Sequence, residues 1–129
     1  MVGPWWIDFG DLVRSAAVDE SGEFVEDYYA GLAHGFFAGR GQLDNEFADT
    51  YRDAALDAPA HLASMLAVRF LDDHLGGDSY FRVEQHGDNL RRAEQALGAL
   101  DVFETPGVIG FMRATLDALL AGAQDGADD

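Results

Sequence analysis

Apolar residues recur at spacings of three and four along most of the chain, and no alternating run is long enough to predict a strand. From Glu23 to about Ala38, Phe24, Tyr28 and Leu32 form one series, and Val25, Tyr29 and Phe36 a second, which predicts a helix. Ser21 is placed to cap it, and Glu23 falls near the first turn, where the helix dipole favours an anion. Gly31 and Gly35, one turn apart, suggest a close neighbour, and Gly39-Arg40-Gly41 ends the helix. Asp44 to Asp57 reads as a second helix, broken at Pro59. A third, from Ala60 to Leu75, carries Leu62, Met65, Leu66, Val68, Phe70 and Leu71 around nearly every side, a pattern expected of a central, buried helix. Gly76-Gly77 stops it, and Asp78 to Gly87 reads as a polar loop bearing Tyr80 and Phe81. Asp88 or Asn89 is expected to cap a fourth helix with Leu90, Ala93, Leu97, Leu100 and Phe103 on one face. Pro106-Gly107 separates it from a fifth, whose stripe runs through Val108, Phe111, Met112, Leu116 and Leu120. Residues 1–21, with Gly3, Pro4 and Gly10, read as an irregular lead, 22–123 as a helical subdomain, and 124–129 as an acidic tail that frays. The prediction is an all-α fold of about five helices.

Composition narrows the class. The 129 residues suffice for one domain with a real core, and a hydrophobic fraction of 48% fits a globular chain. The formal net charge is −16, every basic residue is arginine, and there is no cysteine. Such a surface repels phosphate backbones and anionic lipid, so neither nucleic acid nor membrane is an expected partner. Without cysteine there is no disulfide and no thiolate metal site. No apolar run approaches spanning length, and a cytoplasmic location is expected.

The residues that carry chemistry are few. His34, His61, His74 and His86 form no i, i+4 pair, so no metal site is expected; Asp72-Asp73-His74 reads as a polar helix end. Ser15, Ser21, Ser64 and Ser79 show no nucleophile arrangement. Arg69 falls within the apolar third helix, and a buried arginine needs a partner or a ligand; Asp73, one turn on, offers the partner. Asp8 and Asp11 flank a Phe-Gly pair, and carboxylates so placed can hold Mg²⁺, but the absence of lysine argues against a nucleotide phosphate beside them. An aspartate in a turn or at a helix start is the alternative for Asp8.

Three ordered segments carry a family resemblance. Met1 to Arg14, with Trp5-Trp6-Ile7-Asp8-Phe9-Gly10-Asp11, resembles the M-P-G-x-x-x-Y-D-F-G-D-x-x-R segment of the aminoglycoside and choline kinase-like phosphotransferases, in their N-acetylhexosamine kinase-like branch. Leu66 to Val83 is similar to that family's L-A-L-R-F-L-T-D-Y-L-x-G-D-x-Y-F-K-V, and His86 to Ala93 to its P-x-H-N-L-x-R-A. The match covers about positions 1–104. It implies the C-terminal helical subdomain of a kinase-like fold, beginning just downstream of the metal-binding I-D-L-D-T motif. His86-Gly87-Asp88-Asn89 imitates the catalytic H-G-D-x-x-x-x-N loop, but it follows the Asp-Phe-Gly-Asp segment and lacks the later asparagine, so it reads as a helix start.

What the resemblance implies for function is specific. Asp8 would support the catalytic loop of a full enzyme, while Arg69 and Tyr80 would face a sugar-like acceptor; no catalytic residue and no metal ligand is assigned in this chain. ATP and Mg²⁺ serve the family, and none is expected to bind here. The expected function is the acceptor-binding portion of a sugar- or aminoglycoside-type ATP-dependent phosphotransferase, inactive alone, or complemented by a separate N-terminal chain. The alternative is a free-standing helical interaction module, a homo-oligomer that docks through an exposed Trp5-Trp6 patch.

Overall fold

The computed structural model describes residues 5–38 and 48–128, with side chains over 5–38 and 50–120. Five helices follow one another: α1 (Trp5–Ala16), α2 (Glu26–Ala38), α3 (Ala48–Leu75), α4 (Asp88–Phe103) and α5 (Pro106–Asp128). Among the described residues the only bridge-like pairing is Val18 with Phe24, across the turn between α1 and α2. The fold is all-α. The expected ends and starts at Gly39-Arg40-Gly41 and Asp44 lie outside the described residues, as do Met1–Pro4.

The count of five matches the expectation through two differences that cancel. Residues 5–16, expected to be irregular, form α1. Its spacing explains why: Phe9 and Val13 are fully buried one turn apart, and Asp8 and Asp11 lie on the wet side, with Asp11 paired to Arg14 at 2.7 Å. Conversely, the two helices expected on either side of Pro59 are one helix, α3. An interior proline removes a backbone donor and costs about 3 kcal/mol, so it survives only where packing compensates. Pro59 is fully buried, and the neighbouring Ala58 carbonyl is where α1 crosses.

Gly10 makes that crossing. A Cβ built on Gly10 would sit 2.8 Å from the carbonyl oxygen of Ala58 and 3.0 Å from its Cβ. The glycine of Asp-Phe-Gly-Asp therefore serves helix–helix approach, and its neighbours divide cleanly: Phe9 enters the core, and both aspartates face solvent. By contrast, Gly31 and Gly35 have open space where a side chain would stand, so no element packs closely there.

The core gathers Phe9, Val13, Tyr29, Phe103, Met112 and Leu116, ringed by Trp5, Phe24, Phe36, Phe37 and Phe111. The fifth helix follows its predicted stripe, with Met112, Leu116 and Leu120 buried. On α3 and α4 many of the inward residues are alanines, beside Leu62 and Phe103. Ala55, Ala58, Ala63 and Ala67 of α3, and Ala93 and Ala96 of α4, are buried, whereas Val68, Leu71, Leu75, Leu90 and Leu97 are exposed. Small residues let α3 approach α1 and α4 closely, and those two pairs have the most extensive helix contacts in the fold. The large residues are displaced to the outside, so α3 is not buried all round.

Cap chemistry also departs from expectation. α2 begins at Glu26, and Ser21 instead sits in the preceding turn, where its backbone N–H and hydroxyl donate to the Asp19 carboxylate at 2.9 and 2.6 Å. α4 begins after Gly87, which has φ 100° and gives no side-chain cap. Residues 124–128, expected to fray, continue α5.

Candidate functional site

The chemistry-bearing residues converge where α3 runs into α4. α3 ends in a left-handed turn, with Gly77 at φ 92° and Asp78 at φ 62°, and the Asp78 N–H donates back to the Asp73 carbonyl at 2.8 Å. The loop then returns over the helix end. Asp73, only 6% exposed, gathers it: the carboxylate accepts the Tyr80 N–H at 2.7 Å, the Phe81 N–H at 2.9 Å and the Asn89 side-chain amide at 2.7 Å. A buried carboxylate needs such donors, and here they come from loop backbone and from α4 rather than from a cation. No ion pair joins Asp73 to Arg69 among the described residues, so the expected one-turn pairing is not made.

Asn89 is the hub. It is fully buried, it also donates to Asp78 at 3.1 Å, and its oxygen accepts from Arg92 at 2.9 Å. Neither Asn89 nor Asp88 caps α4. Asp88 turns its carboxylate back to the loop, accepting the N–H groups of Glu84 at 2.9 Å and Gln85 at 3.1 Å, and its other oxygen takes Arg91. His86-Gly87-Asp88-Asn89 is thus the loop's anchor and the start of a helix, as the sequence reading held.

Arg69 and Tyr80 share a cleft. Both line an open cleft of about 410 Å³ with Asp72, Asp73, Ser79 and Phe81. The expectation that Arg69 is buried is wrong: α3 turns it to solvent, next to exposed Val68. Tyr80 is 80% exposed, with its ring edge-on to Phe81 at 4.9 Å, and Phe81 stacks obliquely on Phe70 at 4.7 Å. The anchored backbone thus presents an aromatic ring in the same cleft as a guanidinium that has no ion-pair partner among the described residues. Asp8 does not join them; it is exposed in the first turn of α1. A larger cleft of about 620 Å³ lies between the 14–22 segment and α4, but its arginines are engaged: Arg14 with Asp11, and Arg92 with Asn89 and over the Phe70 ring.

One grouping was invisible to spacing rules. His74 and His86, on the two helix flanks, stack with ring centroids 4.7 Å apart, and His86 Nδ1 lies 3.0 Å from Asp78 Oδ2. The bond to His86, and then that to Asn89, hold the Asp78 carboxyl below its usual range, against the opposing effect of desolvation. Testing histidines for i, i+4 pairs examines single helices only; these two are brought together by the return of the loop. The signal in the sequence was Gly76-Gly77 and Gly87, which set two turns between them.

The Trp5-Trp6 patch is smaller than expected. Trp5 is half-buried against Phe36, Phe37 and Tyr51, at 5.4 to 6.1 Å, and Trp6 alone is 37% exposed. No helix among the described residues is long and apolar enough to cross a membrane. Comparison with protein-family models, curated proteins and solved structures found no match.

Proposed function

We propose that the cleft between the end of α3 and the 79–81 loop binds a small polyhydroxylated molecule, as the acceptor-binding part of a sugar-type phosphotransferase. The observation that carries this reading is that Arg69 and Tyr80, far apart in type and eleven positions apart in sequence, line one cleft, with a guanidinium that has no ion-pair partner among the described residues and an open ring. Arginine offers five donors to hydroxyl groups, and an exposed aromatic face suits the apolar face of a sugar ring. Asp72 and Ser79 supply acceptors on the same rim. Phosphoryl transfer asks for more than this chain's residues offer, since no lysine is present for the phosphates. In this reading ATP and Mg²⁺ bind residues of another segment, which the exposed Asp8 would support, and the 129-residue chain binds acceptor without transferring a phosphoryl group.

An affinity can be sized. N-acetylglucosamine has about 15 heavy atoms, and about 0.3 kcal/mol per atom gives 4–5 kcal/mol, or roughly millimolar binding. Titration of the labelled chain with N-acetylglucosamine and galactose should shift the amide resonances of Gly76, Ser79 and Tyr80. Arg69→Ala and Tyr80→Ala should each abolish the shifts. Shifts that survive both substitutions, or none at tens of millimolar sugar, sink the proposal.

A second reading, a helical module that pairs with another copy, is favoured by the exposed α3 stripe Val68, Leu71 and Leu75, at 66%, 43% and 77%. Self-repulsion at −16 opposes it, so pairing should strengthen with salt. Sedimentation equilibrium at low and high salt decides: a monomer throughout excludes it.

A further inference from the structure

We infer that His74, Asp78 and His86 form a binding site for one Zn²⁺ ion. Each residue offers a ligand atom, and the three atoms lie within 4.8 Å of one another. Two imidazoles with one carboxylate make a donor set that zinc accepts, leaving a fourth, tetrahedral position to water. The closest pair, His86 Nδ1 and Asp78 Oδ2 at 3.0 Å, is already near the roughly 3.3 Å that two ligands on a common tetrahedral Zn²⁺ adopt at bond lengths of about 2.0–2.1 Å. The remaining contraction is about 1.5 Å.

Two further observations point to a ligand. The Nδ1 atom of His74 is shielded from solvent and has no hydrogen-bond partner among the described residues, an unusual state for a ring nitrogen. Asp78 is oriented by something other than the histidines: Asn89 donates to its Oδ1, leaving Oδ2 for the site, and Asn89 is itself fixed by Asp73 and Arg92. An outer partner that orients a carboxylate is what metal sites use to set their ligands. The rings now stack at 21°, and an ion must lie in the plane of both. One ring must therefore turn, and His86 can, because its side chain is 74% exposed; its direct pairing with Asp78 Oδ2 is then replaced by a shared bond through the ion. Binding would tie the end of α3 to the start of α4 across the 76–87 loop, independently of whether the neighbouring cleft takes a sugar.

The test is calorimetric titration of the purified full chain with ZnCl₂, in buffer holding excess Mg²⁺ to occupy the diffuse acidic surface. One Zn²⁺ per chain is expected. His86→Ala, at an exposed side chain that leaves the fold intact by circular dichroism, should weaken binding at least about tenfold, and Asp78→Asn should do likewise. His34→Ala and His61→Ala, both at exposed positions, should leave it unchanged. In heteronuclear spectra, the ring nitrogens of His74 and His86 should shift together at one equivalent. Absence of one-to-one binding in the presence of Mg²⁺, or equal weakening by His34→Ala, would overturn the assignment.

Discussion

Replacing Asp73 by alanine should loosen the 78–81 loop and lower the stability of the whole chain. The carboxylate takes three hydrogen bonds of 2.7 to 2.9 Å while only 6% exposed, two from loop backbone and one from Asn89. Bonds to a charged acceptor contribute about 1.5–3 kcal/mol each, so their gross sum is about 5–9 kcal/mol. The loss is smaller than that sum. Tyr80 is exposed, and once the loop lifts, water reaches its N–H and that of Phe81. The Asn89 amide nitrogen cannot be rescued in the same way, because it is fully buried and retains only its longer bond to Asp78, while the oxygen still takes Arg92. An unmet buried amide costs about 1–3 kcal/mol, and a small void adds to it. The expected net loss is about 2–4 kcal/mol. For a chain of this length, 1 kcal/mol corresponds to about 3–5 °C, so Tm should fall by about 6–20 °C. Urea and thermal melts followed by circular dichroism measure this. Amide exchange at Tyr80 and Phe81 should rise by more than at α5, because the loop opens first. Asp73→Asn, which keeps the shape but turns one acceptor into a donor, should fall between wild type and alanine. A Tm within about 2 °C of wild type, with unchanged exchange at Tyr80 and Phe81, would refute the claim that this carboxylate holds the loop.

Three other outcomes follow from the packing and the turns. Gly10→Ala should destabilise by about 1–3 kcal/mol in urea melts, since its Cβ meets the Ala58 carbonyl at 2.8 Å. Gly31→Ala, in an open helical position, should instead stabilise by about 0.5–1 kcal/mol; equal effects at the two sites would remove the crossing argument. Tyr29 is fully buried with a hydroxyl that has no partner among the described residues, and burial pushes its phenol well above the usual range, so Tyr29→Phe should raise stability by about 1 kcal/mol. A fall in Tm on that substitution would mean the hydroxyl is satisfied. The Ser21 hydroxyl, and then the Glu23 backbone, hold the Asp19 carboxyl below 3.8. Its folded-state value is depressed, so its stabilisation of the 19–23 turn is present above about pH 4 and fades as pH falls through the folded value. Amide shifts of Ser21 and Glu23 should titrate with a midpoint below 3.8, and a midpoint above 4 contradicts the bonding.

The helical class and the stripe of α5 were legible because large apolar residues at helical spacing there do enter the core, as Met112 and Leu116 show. Period failed where alanine packs. In α3 and α4 several leucines of the pattern, Leu71, Leu75, Leu90 and Leu97, stand outside, and alanines fill much of the inner face; where α1 crosses α3, the close approach of Gly10 to Ala58 leaves no room for a large side chain. Pro59 misled for a related reason: a local rule about backbone donors was outweighed by tertiary burial. Arg69 and Tyr80, named through a resemblance between segments, line one cleft. The network beneath them was not found, because Asp73, Asn89, His74 and His86 touch only after the loop folds back. Cap rules assigned Asp88 and Asn89 to the helix behind them, whereas their side chains serve the loop in front and the end of α3.

The loop from Ser79 to Gln85 is held by main-chain groups. Tyr80 and Phe81 present their N–H groups to Asp73, and Glu84 and Gln85 present theirs to Asp88. Every residue type except proline can make those bonds, so apart from the packing of Phe81 on Phe70 the path of the loop depends little on which side chains it carries. Its form is fixed by residues outside it, on the two helices. Exposed side chains at these positions, Tyr80 and Glu84 among them, can therefore change without removing the bonds that hold the backbone, so the surface of the loop can be rewritten while its scaffold stays the same.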